Sequence, residues 1–185
     1  MSINGGRARR VSRSPTVPSE KTEDYPSPTS IGIFRFPSFQ NLQEGSAMGK
    51  EKYFEQIRQV TNHCPYYRLL GMEVIEMKEG ESKIQMPFKQ DLTHPYGIVH
   101  GGAIASLADS SVAMALISLV DLRDRITTIE FKINFFTPIS KGNLEAHAKI
   151  IHKGSKTAVG DVEVKNEEGK LVAKVIATYS IRRVD

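Results

Sequence analysis

A chain of 185 residues, 39% hydrophobic and 25% charged, holds enough material for one domain with a real core. Its formal charge of +4 is split evenly: residues 1–48 contribute +2 and the rest of the chain +2, with no basic stripe interleaved with aromatics, which excludes a nucleic-acid-binding surface. The single cysteine, Cys64, excludes an internal disulfide and fits a reducing, cytoplasmic compartment, and without CxxC, HExxH or EF-hand spacing no metal site is expected.

Residues 1–48 hold five of the nine prolines and eight serines and lack any helical or strand period, so a disordered N-terminal extension is expected there. Its Arg/Ser-rich start suits a transit peptide, but Glu20, Glu23 and Asp24 argue against one, and no apolar run supports secretion.

Residues 49–185 read as the folded domain. Glu51 to Asn62 forms a short amphipathic helix with Tyr53, Phe54, Ile57 and Val60 on one side. A further turn over Tyr66 to Leu70 is stopped by Gly71. Met72 to Lys78 and Ser82 to Phe88 are strands, joined as a hairpin by Glu79-Gly80-Glu81. Lys89 to Gly97 is a loop. From Ile98 to Val120 the chain reads as one helix of roughly twenty residues, apolar nearly all round and therefore buried. Asp109, His100 and its glycines and serines disqualify it as a membrane span. Next, Ile129, Phe131, Ile133 and Phe135 alternate with Glu130, Lys132 and Asn134, and three more strands follow: Leu144 to Ile150, Thr157 to Lys165 and Leu171 to Ile181. Two strands, a buried helix and four strands in a meander predict an α+β domain: a six-stranded antiparallel sheet wrapped around one long helix.

The chemistry concentrates on that helix. At His100-Gly101-Gly102 the first backbone N–H groups have no intrahelical partners and the helix dipole is positive. That end suits a carbonyl oxygen or an oxyanion, with glycines that let a substrate approach closely; equally, the glycines serve tight helix–sheet packing. Asp109 is the sharper signal, because an unpaired carboxylate in an apolar core costs several kcal/mol. It must face a polar cavity or a subunit boundary, or be bonded to nearby hydroxyls such as Ser106, Ser110 and Ser111. Gly101 and Asp109 lie about 12 Å apart along a helix, too far to touch one reacting carbonyl. If they cooperate, one comes from a second copy of the chain across a two-fold axis. His94, His100 and Thr128 are weaker signals singly, and Ser110 and Ser111 lack the G-x-S-x-G elbow of a hydrolase nucleophile.

The run GIVHGG from Gly97 to Gly102, followed after four residues by Leu107-Ala108-Asp109, resembles the signature of hotdog-fold acyl-CoA thioesterases of the phenylacetic-acid-degradation (PaaI-like) type. TTIEFKINFFTPISKG from Thr127 to Gly142 and HKGSK from His152 to Lys156 are similar to that family too, and the likeness spans about residues 50–183. It implies hydrolysis of an acyl-CoA thioester to free acid and CoA. Asp109 then falls on the family's acid, as nucleophile or general base, and the Gly101 N–H after His100 on its oxyanion donor. Thr128 falls on the hydroxyl that helps place water. His94 stands where the family commonly has Asn against the thioester carbonyl, and its neutral imidazole has one hydrogen bond to give. The resemblance also implies a homodimer or a dimer of dimers (homotetramer), with no cofactor beyond the CoA of the substrate and neither nucleic acid nor membrane as partner. Lys153, Gly154, Ser155 and Lys156 are the candidates to meet the CoA phosphates, with Lys141 behind them.

Two alternatives share the fold. A non-catalytic acyl-CoA-binding sensor would carry a helix-turn-helix domain, absent from residues 1–48, and would lack the acid at Asp109. A dehydratase or hydratase would pair a catalytic His with Asp or Glu, and His94 alone fits. Deleting residues 1–47 is expected to leave fold and turnover unchanged, as checked by circular dichroism and thiol release on the shortened chain.

Overall fold

The structure is a computed structural model that describes residues 47–183 except Leu122. The expected extension over residues 1–48 lies outside the described residues but for its last two, which already belong to the first helix.

α1 (Ala47–Asn62) turns Tyr53 and Ile57 into the core. α2 (Pro65–Leu70) opens on a proline at its first turn, where no N–H is needed, and ends at Gly71. Gly71 has φ 75 and donates back to Arg68 O, while Met72 N–H reaches Tyr67 O at 2.8 Å. β1 (Glu73–Lys78) and β2 (Glu81–Pro87) form the expected hairpin. The long helix α3 (Gly101–Ile117) is followed by β3 (Asp124–Phe135), β4 (Asn143–Lys153), β5 (Thr157–Asn166) and β6 (Leu171–Arg183). α3 is shorter than the sequence suggests: His100, two residues after Ile98, caps it, and its last turn ends where Ser118 Oγ bonds back to Ala115 O at 2.7 Å.

All six strands lie in one antiparallel sheet, in the order β1-β2-β4-β5-β6-β3. The predicted four-strand meander is thus corrected to three strands, with β3 against β6 at the far edge. Alternation along a strand specifies which side chains share a face and carries no information about neighbours.

The helix lies in the concave face of this sheet, with Leu107, Ala108, Val112, Ala115 and Leu116 essentially without solvent exposure. It packs tightly against Gly160 on β5, where a Cβ would sit 2.5 Å from Val112 Cγ1. A buried hydroxyl pair ties helix to sheet: Ser82 Oγ on β2 donates to Ser111 O at 2.7 Å, and Ser111 Oγ to Leu107 O at 2.8 Å. The Gly80 N–H in the β1–β2 turn reaches Ser118 Oγ at 2.7 Å, holding the other end of the helix.

Four strands carry a bulge, at Ile75 in β1, Ile129 in β3, Ile151 in β4 and Val172 in β6, three of them on an isoleucine. A bulge shifts by one residue the alternation of every later position on its strand, while residues paired across the ladder still share a face. Ile129 and Ile151 are accordingly 58% and 56% exposed, against the alternation that assigns Ile129 to the apolar face of Phe131, Ile133 and Phe135.

The two sheet edges differ. Along β1, Asn62 of α1 accepts the Val74 N–H at 2.8 Å and donates to Val74 O, while Arg58 donates to Ile75 O at 2.9 Å, so helix side chains imitate a neighbouring strand. β3, twelve residues long, has β6 on one side and, among the described residues, no strand on the other. Among the described residues no helix is long and apolar enough to cross a membrane.

Replacing Gly160 by alanine should destabilise the domain by about 1–3 kcal/mol, because the new methyl overlaps Val112 at the helix–sheet contact. Urea unfolding of the variant beside the wild type measures this.

Candidate active site

The loop before α3 is pinned by backbone bonds. Thr93 and Val99 form a bridge, His100 N–H donates to Leu92 O at 2.7 Å, and His94 N–H donates to Ile98 O at 3.1 Å. Gly97, at φ 74, closes the turn with an N–H to His94 O at 2.8 Å. The loop thereby brings His94 and His100 together, ring centroids 6.4 Å apart and nearly perpendicular. His94 also meets Tyr96 edge-on at 5.2 Å.

Both imidazoles have one nitrogen committed. His100 Nδ1 accepts the Gly102 N–H at 2.9 Å as the N-cap of α3, and His94 Nδ1 accepts the Tyr96 N–H at 3.2 Å. An amide can only donate, so in either neutral ring the proton sits on Nε2. Gly101 is the first residue of the helix, and among the described residues its N–H has no acceptor. The Phe135 ring, on β3, covers that position so closely that a Cβ on Gly101 would lie 3.1 Å from it. Beside the first turns of α3 runs an open groove of about 440 Å³ whose walls include Tyr66, Leu70, Leu92, His100, Ala103 and Ser106.

Two turns further along, Asp109 is half-buried and bonded by hydroxyls, though not those of the serines nearest in sequence. Thr128 Oγ1 on β3 donates to its Oδ1 at 2.9 Å, and the Tyr179 hydroxyl on β6 donates to the same oxygen at 2.6 Å. Ser106 and Ser111 donate instead to the carbonyls one turn back, Gly102 O and Leu107 O. Among the described residues no Lys, Arg or His lies within ion-pairing distance of Asp109.

Thr128 reaches Asp109 because of the bulge. Thr128 and Tyr179 are directly paired across β3 and β6, so their side chains share the helix face; after Ile129 that face passes to Phe131, Ile133 and Phe135. Strict alternation would have set Thr128 on the opposite face. Sequence reasoning missed Tyr179 altogether, and Tyr67 of α2 with it. Burial pushes the Tyr67 phenol up to about 12, opposed by a bond to Ser110. Burial and the Asp109 carboxylate push the Tyr179 phenol far above its ordinary range. The signal was present: in β6 the inward positions run Ala173, Val175, Ala177, Tyr179, and a buried phenol needs a partner.

The Lys153–Lys156 turn, with Gly154 and Ser155 between, joins β4 to β5 and is closed by the Gly154 N–H on Thr157 O at 2.8 Å. Lys153 pairs with Ala158, Ala158 with Tyr179 and Tyr179 with Thr128, so one row crosses the sheet from the turn to the Asp109 cluster. Among the described residues no three His, Cys, Asp or Glu side chains are grouped to hold a metal ion.

A single helix lying in a six-stranded antiparallel sheet, with a glycine-rich start and a hydroxyl-bound carboxylate midway, defines the hotdog class of fold. The Thioesterase superfamily profile matches residues 96–173. The chain is 35% identical over 117 residues to a presumptive esterase of Saccharolobus solfataricus, covering 63% of this chain and 83% of that protein. It is 32% identical to the medium/long-chain acyl-CoA thioesterase YigI of Escherichia coli, over 64% of this chain and 86% of that one. Among solved structures it resembles the E. coli PaaI protein from the phenylacetic acid degradation operon, with a TM-score of 0.65, 26% identity, and coverage of 74% of this chain and 96% of that chain. The chain belongs to the thioesterase superfamily.

Replacing His100 by alanine should cost about 1 kcal/mol through the lost N-cap, and His100→Asn, which keeps a capping acceptor, should recover most of it. Chemical denaturation of the two variants measures the difference.

Proposed function

We propose that the chain is an acyl-CoA thioesterase, hydrolysing an acyl-CoA thioester to the free carboxylic acid and CoA in the cytoplasm. One observation carries the reading. A single buried helix in this superfamily's fold offers an uncommitted N-terminal amide at Gly101 and, two turns on, a carboxylate at Asp109 with one oxygen bonded by hydroxyls.

The Gly101 N–H stabilises the negative charge that develops on the thioester oxygen, where preorganised dipoles contribute most to acyl transfer. His94, with its Nε2 proton directed by the bond at Nδ1, is the second donor to that carbonyl in place of the family's Asn. His100 holds the first turn in shape through Gly102. Asp109 takes a proton from an attacking water, or attacks the carbonyl itself and is released by water; Thr128 helps hold the water. On either route the C–S bond breaks, the oxygen of water ends in the acid, and the thiolate leaves as CoA once protonated. The groove beside α3 has apolar walls for an acyl group at Leu70, Leu92 and Ala103. Lys153 and Lys156, with the backbone of Gly154 and Ser155, meet the phosphates of CoA at the end of the row that leads to Asp109. No cofactor or metal takes part.

Eight residues of helix keep Gly101 and Asp109 about 12 Å apart, so the reading requires a homodimer, or a dimer of dimers, in which Gly101 of one protomer works with the partner's Asp109. The β3 edge supports this. It is long and, among the described residues, unpaired, and it carries Phe131 at 37% and Phe135 at 51% exposure, which natural proteins avoid unless the edge is covered.

Thiol release from a panel of acyl-CoAs should fall about 10²- to 10⁴-fold in Asp109→Asn. Gly101→Pro, which removes the one N–H at a helix position that tolerates proline, should be similarly impaired. Subunits of the two variants, unfolded together and refolded as mixed dimers, should regain about a quarter of wild-type activity, since half the dimers carry one intact shared site. No regain would place both groups in one subunit. No release from any ester, with CoA still bound, would favour the sensor.

A further inference from the structure

We infer that Tyr179 is a positioning residue for Asp109: with Thr128 it commits Oδ1, so that Oδ2 is the oxygen turned to the substrate. The word substrate rests on the thioesterase reading above; the geometry of the carboxylate does not.

A carboxylate oxygen has two lone-pair sites, and those of Oδ1 are filled by Thr128 at 2.9 Å and Tyr179 at 2.6 Å. Among the described residues nothing donates to Oδ2. The Tyr179 hydroxyl also lies 2.7 Å from the main-chain carbonyl of Asp109, so its single hydrogen is shared between the side chain and the backbone of one residue. That fork fixes the side-chain torsions of Asp109 relative to the helix in a way Thr128, bound to the carboxylate alone, does not. Tyr179 is itself immobile, being 2% exposed on the helix face of β6 between Thr128 and Ala158. A buried phenol could satisfy itself with the backbone carbonyl, yet the shorter contact is the one to the carboxylate. The titratable groups facing Asp109 are Tyr179 from β6 and Tyr67 from α2; Thr128 from β3 and Ser110 on its own helix are the neighbouring hydroxyls.

Tyr179→Phe removes the hydroxyl and keeps the ring. It should lower kcat about ten- to a hundredfold, through misplacement of the reacting oxygen, with KM changed less than about twofold. A variant that merely melts earlier, with kcat unmoved, overturns the inference. The second measurement needs no turnover. In the full-length wild type the Tyr179 hydroxyl proton should give a downfield, slowly exchanging NMR resonance that is lost in Tyr179→Phe and displaced in Asp109→Asn. The Tyr179 ring carbon should begin to titrate at lower pH in Asp109→Asn than in the wild type, because the neighbouring negative charge is gone. A resonance and titration indifferent to Asp109→Asn overturn the inference even if Tyr179→Phe cannot be folded. NMR responses as expected in a chain that hydrolyses no thioester would overturn the thioesterase reading and leave the hydrogen-bond assignment standing.

Discussion

A negative charge on an otherwise apolar buried helix sets the terms for this molecule. Removing a carboxylate from water costs several kcal/mol unless donors replace the hydration, and here no cation among the described residues does so. Two hydroxyls stand in, and they arrive from strands far apart in sequence. Thr128 and Tyr179 can meet at one oxygen only if β3 lies beside β6, which is the pairing that breaks the simple meander. The strand order and the site are therefore one requirement seen twice. Gly160 completes it, since with a side chain there the helix would be held off the sheet and Asp109 would stand away from both donors.

The two edges of the sheet answer the problem of unpaired backbone groups in opposite ways. α1 presents Asn62 and Arg58 to β1 and bonds the Val74 N–H and the Val74 and Ile75 carbonyls, where a further strand would have paired. Among the described residues β3 has no such cover, and it offers aromatic rings where the other edge offers an amide and a guanidinium. The asymmetry gives the sheet a direction of growth. It also sets that direction beside Gly101, where the Phe135 ring occupies the space a side chain would take.

Most of the architecture was legible. Periodicity found every α-helix and strand, because hydrophobic faces must be buried wherever they fall in the chain, but it started β3 five residues late and read the 3-10 turn Gln90–Leu92 as loop. The exaggerated length of α3 traces to His100, whose capping role depends on which ring nitrogen faces Gly102. What alternation could not supply was partnership and parity. It set Ile129 with Phe131 on one face, and an added residue in the strand undid this. Thr128 was named on resemblance alone, and nothing local to it explains its direction. Tyr179 went unnoticed because its partner is seventy residues away, although a phenol among alanines and valines was the visible clue.

The bulge at Ile129 can be put as arithmetic on the strand. On β6 the inward residues keep odd numbers throughout, 173 to 181, whereas on β3 they are even up to Thr128 and odd from Phe131. The strand thus has two phases, one for the hydroxyl that serves Asp109 and one for the aromatics that line the open edge. A residue added or lost between Thr128 and Phe131 would leave both segments intact in composition and turn one of them outward. The spacing of these two residues is thereby a count the site depends on, independent of which side chain fills the place between them.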